Sequence, residues 1–355
     1  MRNRVWLTTM NGTLAVCAGL MFLTAVLAPA PDVRGATLAP VAATAQDKAK
    51  EKPAPKVPEK ELQAAKAVES AADTTAMLAA AGEFLQKYPK SALRPQVAEL
   101  VAAKISNVSD PAQQIAHSES YLKLFNGAGE ADLINPYLIS AYTLAKRLDE
   151  AFALVPTALE KNPNPVGALI NLTLAGAEEA RKQNLKYAAQ SKQYGLQAIA
   201  LIEADKKPAA VDDATWADYK TKWVPQLYQT LALLSLTSGD NDDAKANIEK
   251  AAALNSTDPV TYVIMGSMAN NVYQRLAQEH KAATGAGKDE LLKQAHAQMD
   301  QVIEAYARAL ALADGNAQYD QLRMQLKPDL EEYYKYRHNN STEGLQALID
   351  KYKKR

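Results

Sequence analysis

The chain has 355 residues, 48% of them hydrophobic, with 40 basic and 40 acidic side chains. That length and apolar content can bury a sizeable core, as one long array or as two ordinary domains. Zero net charge leaves no basic excess for a nucleic-acid partner, and a lone cysteine, Cys17, excludes a disulfide framework.

Residues 1–30 differ from the rest. Met1 to Arg4 is a short positive start, Val5 to Ala28 is uncharged, and Leu14 to Leu27 is an apolar run. This is the layout of a signal peptide, although the uncharged stretch is also long enough to span a bilayer. Ala28-Pro29-Ala30 and Ala43-Thr44-Ala45 both have the small-x-small form of a processing site, and Pro31 disfavours the first. Cleavage before Gln46 removes Arg2, Arg4, Arg34 and Asp32, which takes the net charge from 0 to −2. Either outcome predicts export to the periplasm or beyond, with membrane contact only through an uncleaved N-terminal segment. Val16 before Cys17, and apolar residues after it, argue against lipidation.

Residues 31–58 read as a tether. Pro40, Pro53, Pro55 and Pro58 interrupt helix, and the Lys/Glu/Ala mixture has little to bury. From residue 59 to 355, Ala, Leu, Lys, Gln and Glu recur at helical spacing, so this part is predicted all-α. Pro89 stops one helix, Ser91 is placed to cap the next, and Asp110-Pro111 opens another.

Three stretches then share one design. In the cleanest, Tyr228, Leu231 and Ala232 lie on one helical face, Gly239-Asp240 breaks the helix, and Ala244, Ile248 and Ala251 mark a second helix before Thr257-Asp258-Pro259. Asp132 to Pro163 repeats it with Leu138, Ile139, Tyr142, Ala151 and Ala158, with a lysine where the turn glycine belongs. The third begins with Tyr262, Met265, Gly266 and Ala269, but its second helix arrives late, at Ala305 to Leu312. Ile248 and Tyr306 are equivalent there, so both helices are expected to be longer by about 12 residues, reaching ~18 Å further around a turn at Gly285-Ala286-Gly287. The last helix carries Leu345, Leu348, Ile349 and Tyr352 on one stripe, with Ser341 as its cap.

The Tyr228–Pro259 pattern resembles the tetratricopeptide repeat, a helix–turn–helix unit of 34 residues. The resemblance implies a right-handed α-solenoid of such pairs, and a non-enzymatic scaffold or adaptor of the bacterial cell envelope that binds a protein or peptide. It also implies which positions line the concave face, from the first helix of each unit: Gln226, Gln229, Leu233 and Leu236, then Val263, Ser267, Asn270 and neighbouring Asn271. Repeats that clamp a carboxylate tail use lysine and asparagine there, and Gln229 and Leu233 depart from that pattern.

No cofactor is implied. His117, His280, His296 and His338 have no ligand partner at helical spacing. Gly285-Ala286-Gly287-Lys288 lacks the first glycine and the final Ser/Thr of a phosphate loop, and Asp240, Asp242 and Asp243 lack the glycine and distal glutamate of a calcium loop. Trp216, Tyr219 and Trp223 form a stripe that either packs on a neighbouring helix or offers an aromatic ledge, ahead of a kink at Pro225. Two other roles remain open: a self-associating subunit using the long hairpin and Tyr333, Tyr334 and Tyr336, and an enzyme without a recognisable motif.

Overall fold

The computed structural model describes residues 57–353 apart from 128, 162–164, 209–210 and 286; the expected export segment and nearly all of the tether lie outside these. The described residues form helices joined by short turns, with no strand among them. They divide into two compact units, one made of residues up to Ala175 together with Ala200–Trp216, the other of Gly176–Ile199 together with Ala217 onward.

The N-terminal unit opens with α1 (Glu59–Glu69), α2 (Thr74–Lys87), α3 (Arg94–Ser106) and α4 (Pro111–Leu124). Asp73 and Asp110 cap α2 and α4 by accepting the Ala76 and Gln113 amides at 2.8 and 2.7 Å, which satisfies donors a helix start leaves open. Ser91 caps the turn ahead of α3: its hydroxyl accepts the Leu93 amide at 3.2 Å and donates to Glu61 Oε2 at 2.6 Å, tying the chain back to α1, and α3 itself begins later, at Arg94. Phe84, Ile105, Tyr121 and Phe125 fill the core between these helices, with the Tyr121 and Phe125 rings stacked 4.7 Å apart.

The degenerate repeat forms as α5 (Asn135–Leu144) and α6 (Leu148–Lys161). Its turn explains how it survives without glycine. Lys146 takes φ +60°, the left-handed value that Gly239 takes at +78° in the clean repeat. Both turns close alike: Arg147 N–H donates to Tyr142 O at 2.8 Å, and Asp240 N–H to Ser235 O at 2.9 Å. A left-handed residue with a bond from the following amide back across the last turn is the usual helix stop. The same closure ends α7 (Val166–Arg181) at Gln183, φ +67°, and α8 (Ala188–Glu203) at Asp205, φ +54°. A side chain at such a position carries a steric cost of about 1 kcal/mol. Lys146→Gly should therefore raise stability by ~0.5–1 kcal/mol and Gly239→Ala lower it by about as much, read from urea unfolding midpoints.

Pro225 does not break the chain's course. The helix α9 (Asp213–Asp218) leads into a π-helical turn at Tyr219–Trp223 and on into α10 (Val224–Thr237). Proline removes one backbone donor and crowds the carbonyl four residues earlier, and a widened turn accommodates both. Trp216, Tyr219 and Trp223 are all buried, so packing, and not an aromatic ledge, is their role. Trp216 Nε1 donates to Asp205 Oδ1 at 2.7 Å.

Next come α11 (Asn241–Leu254), α12 (Pro259–Ala282) and α13 (Gly287–Ala313). The hairpin is indeed long, with 24 and 27 residues against 14 in each of α10 and α11. The acids at the α11 start are taken up internally: Asp240 accepts the Asp243 amide, and Asp243 meets Ser235, Asn247 and Lys192, whose ammonium lies 2.9 Å away. Last are α14 (Asp320–Arg337) and α15 (Leu345–Asp350), which both pack on α13. Ser341 caps the turn ahead of α15, accepting the Glu343 amide at 3.0 Å, and the helix itself starts later than the serine suggested.

Candidate functional site

The first helices of successive pairs in the C-terminal unit, α10 and α12, carry the eight expected groove residues. Four of them are closed off from solvent: Gln229 is 2% exposed, Leu233 and Val263 1% each, and Asn270 4%. Gln229 Nε2 donates to Asp258 Oδ2 and to Thr261 Oγ1, each at 2.9 Å. Asp258 is also the cap of α12, accepting the Val260 amide at 2.9 Å, so Gln229 pins α10 to the start of its neighbour. Asn270 Oδ1 accepts the Tyr333 hydroxyl of α14 at 2.8 Å. Contact with a partner is thus not open to these four. The polar groups of Gln229 and Asn270 are spent joining adjacent helices, and an unpaired amide in such a position would be costly.

Gln226, Leu236, Ser267 and Asn271 remain half-buried and border solvent. Ser267 has a structural duty as well, donating to Val263 O at 2.9 Å and meeting the Tyr306 hydroxyl. Gln226 is different. Its side-chain oxygen is enclosed and has no donor. Asn271 lies one residue past the Asn270–Tyr333 bond.

Beneath this face lies a tyrosine cluster. The Tyr333 ring meets Tyr273 edge-on at 6.4 Å and Tyr306 at 6.4 Å and 64°. Burial pushes the Tyr273 and Tyr306 hydroxyls up to about 12, and burial with the neighbouring Tyr306 and Asp329 pushes Tyr333 higher still. All three are therefore fixed as neutral hydroxyls across the physiological range. Tyr333 and Tyr334 are buried, which leaves Tyr336, 43% exposed, as the single one of the three that self-association could use.

Beside the hairpin, α13 and α14 border an open cleft of about 430 Å³. Arg337 forks onto Asp300 there, at 2.7 and 2.9 Å, and the His296 ring lies edge-on to Tyr336. Burial, and then the Arg337 charge, hold the His296 imidazole below its ordinary value. Arg337 and Asp300 are paired with each other there, and among the described residues no nucleophile faces the histidine with a base behind it. Among the described residues no three or more His, Cys, Asp or Glu side chains come together to hold a metal ion, and no helix is long and apolar enough to cross a membrane.

One feature escaped the sequence reading. Arg181, at the end of α7, has its Nε and one terminal nitrogen buried without partners, and burial lowers its affinity for its proton. A single arginine in the last turn of a helix reads as a complement to the helix dipole, so nothing in the sequence marks it.

No family model matches the chain, and no curated protein does. Among solved structures, a tetratricopeptide repeat protein from Parabacteroides merdae aligns with 76% of this chain and 98% of its own, at 15% identity and a TM-score of 0.29.

Proposed function

We propose that this chain is a tetratricopeptide-like scaffold of the bacterial cell envelope, holding an extended peptide or protein segment against α10 and α12. The observation that carries the reading is that Gln226, Leu236, Ser267 and Asn271 all border solvent on the first helices of two successive pairs. The Gln226 side-chain amide can pair there with the main chain of an extended segment. Leu236 adds apolar surface at the far end of the same helix, and Asn271 adds a donor and an acceptor on the next. Such a face gives affinity through main-chain hydrogen bonds and buried area, with no chemistry performed. The N-terminal charge and apolar pattern supports the envelope location.

Photo-crosslinking in intact cells tests both parts. A benzophenone side chain at Leu236 or Asn271 should form a discrete adduct recovered from the envelope fraction. The same group at Leu254, exposed on α11, should not. Equal adducts from all three positions would remove the face assignment, and adducts found in the cytoplasm alone would remove the location. In the purified pair, Gln226→Ala should weaken binding about five- to tenfold, matching the loss of one hydrogen bond.

A further inference from the structure

On the second helices of the same two pairs, α11 and α13, two cations lie against tyrosine rings of α10 and α12. The Arg308 guanidinium lies over the Tyr262 ring at 4.0 Å and near the Tyr352 ring at 5.7 Å. In the preceding pair, the Lys250 ammonium lies 5.1 Å from the centre of the Tyr228 ring. These are equivalent positions. Tyr228 and Tyr262 stand one repeat apart, and Lys250 and Arg308 each follow by two residues the matched Ile248 and Tyr306.

The rings are anchored. The Tyr262 hydroxyl donates to Ser256 O at 3.0 Å, and the Tyr352 hydroxyl is tied to Glu304. Contact with two anchored rings holds the Arg308 guanidinium in place, and none of its N–H groups is taken up by a described acceptor. Neighbouring cations are already matched: Lys351 lies 3.3 Å from Glu304, and Lys353 lies 3.0 and 3.1 Å from Asp314 and Asp350. Neither Arg308 nor Lys250 has a hydrogen bond or ion pair with any described residue. Arg308 is half-buried and Lys250 exposed.

We infer that Lys250 and Arg308, each held against a repeat tyrosine, form a carboxylate-reading row on α11 and α13 that takes an acidic segment of a partner protein. A planar fork of N–H donors matches a carboxylate, and pre-ordering by the rings lowers the entropy lost on binding. The nearby Glu304, Asp314 and Asp350 are matched by Lys351 and Lys353, which offsets their repulsion of an incoming carboxylate.

The test uses the purified full chain and a fluorescein-labelled, acetylated and amidated Asp-Glu hexapeptide, followed by anisotropy at low salt. The Asn-Gln hexapeptide and inorganic phosphate serve as further arms. We expect saturable binding of the acidic peptide, none of the neutral one, and at least tenfold weaker binding by Lys250→Gln/Arg308→Gln. Arg308→Lys, which keeps the charge but loses the fork, should cost about threefold. Lys250→Gln alone alters an exposed side chain and keeps the test valid if the double variant folds poorly. Unchanged affinity in Lys250→Gln and Arg308→Lys would overturn the inference. So would displacement of the peptide by phosphate at equal concentration, since that describes a generic anion site. Gln226→Ala should leave this binding unaltered, which separates its outcome from that of the α10–α12 face.

Discussion

Gly266→Ala should destabilise the C-terminal unit by ~3 kcal/mol, and adding Tyr306→Ile to that chain should cost only ~1 kcal/mol more. A Cβ added to Gly266 would stand 2.3 Å from Tyr306 Cε1 and 2.5 Å from Cδ1, far inside contact distance. The ring cannot step aside. Tyr306 is 4% exposed, abuts Tyr333, and has its hydroxyl on Ser267. Overpacking of this kind typically costs 1–3 kcal/mol, and an immobile ring puts it at the upper end. The clean repeat shows why the second change then costs less than it does alone. There Ala232 and Ile248 occupy the positions of Gly266 and Tyr306, so the larger side chain on one helix goes with the smaller on the other. Tyr306→Ile alone leaves a void and should cost ~3 kcal/mol. The double variant restores the Ala–Ile pairing, and a double-mutant cycle from urea unfolding should show a favourable coupling of about 2 kcal/mol. Simple additivity of the two losses would mean that the helices do not meet through this pair.

Glu130→Ala should cost the N-terminal unit about 3 kcal/mol, well above the effect of any exposed ion pair in the chain. Glu130 Oε1 accepts Arg94 Nε at 2.6 Å, and Oε2 accepts Arg94 Nη2 at 2.8 Å and the Gly127 amide at 2.6 Å. Arg94 Nη2 also donates to Leu124 O at 3.2 Å, and the Tyr121 hydroxyl donates to the Glu130 carbonyl at 3.0 Å. One carboxylate thus closes the link from α4 to α5 onto the start of α3. The side chains are 24% and 12% exposed, so truncation strands a guanidinium largely out of water. The Lys182–Glu178 pair, 55% and 34% exposed, should by contrast contribute under ~1 kcal/mol. The hydrogen bond from Arg94, helped by the Gly127 amide, holds the Glu130 carboxyl below its ordinary 4.5 in spite of partial burial. A depressed folded-state value means the stabilisation is complete above the unfolded value and is lost as pH falls through the folded one. Urea midpoints of wild type and Glu130→Gln should therefore converge below pH 4.5. Parallel curves through that range would show that the carboxylate charge is not what closes the link.

How far each of these features could be read in advance follows from where its cause lies. The clean repeat was legible because its determinants are local: Gly239 ends a helix, Asp240 caps the next, and the apolar spacing marks one face. The long hairpin was legible too, since the delay from Ile248 to Tyr306 has to be filled by helix-prone chain. The stops at Gln183 and Asp205 were not, because a left-handed turn without glycine leaves no mark and is held by the packing on both sides. Ser91 does serve the entrance to α3, but its second bond, to Glu61 on another helix, left no mark in the sequence.

The sequence by itself determined helix content, the pairing of helices and the repeat register, all of which follow from spacing and turn chemistry within some 34 residues. Tertiary structure alone decided which members of the expected groove meet solvent. Gln229 and Asn270 have the residue type and the register of a binding face, yet Thr261 and Tyr333 on adjoining helices reach them first. A side chain's direction is set by its own helix, but its exposure is set by whichever neighbour comes to rest against it.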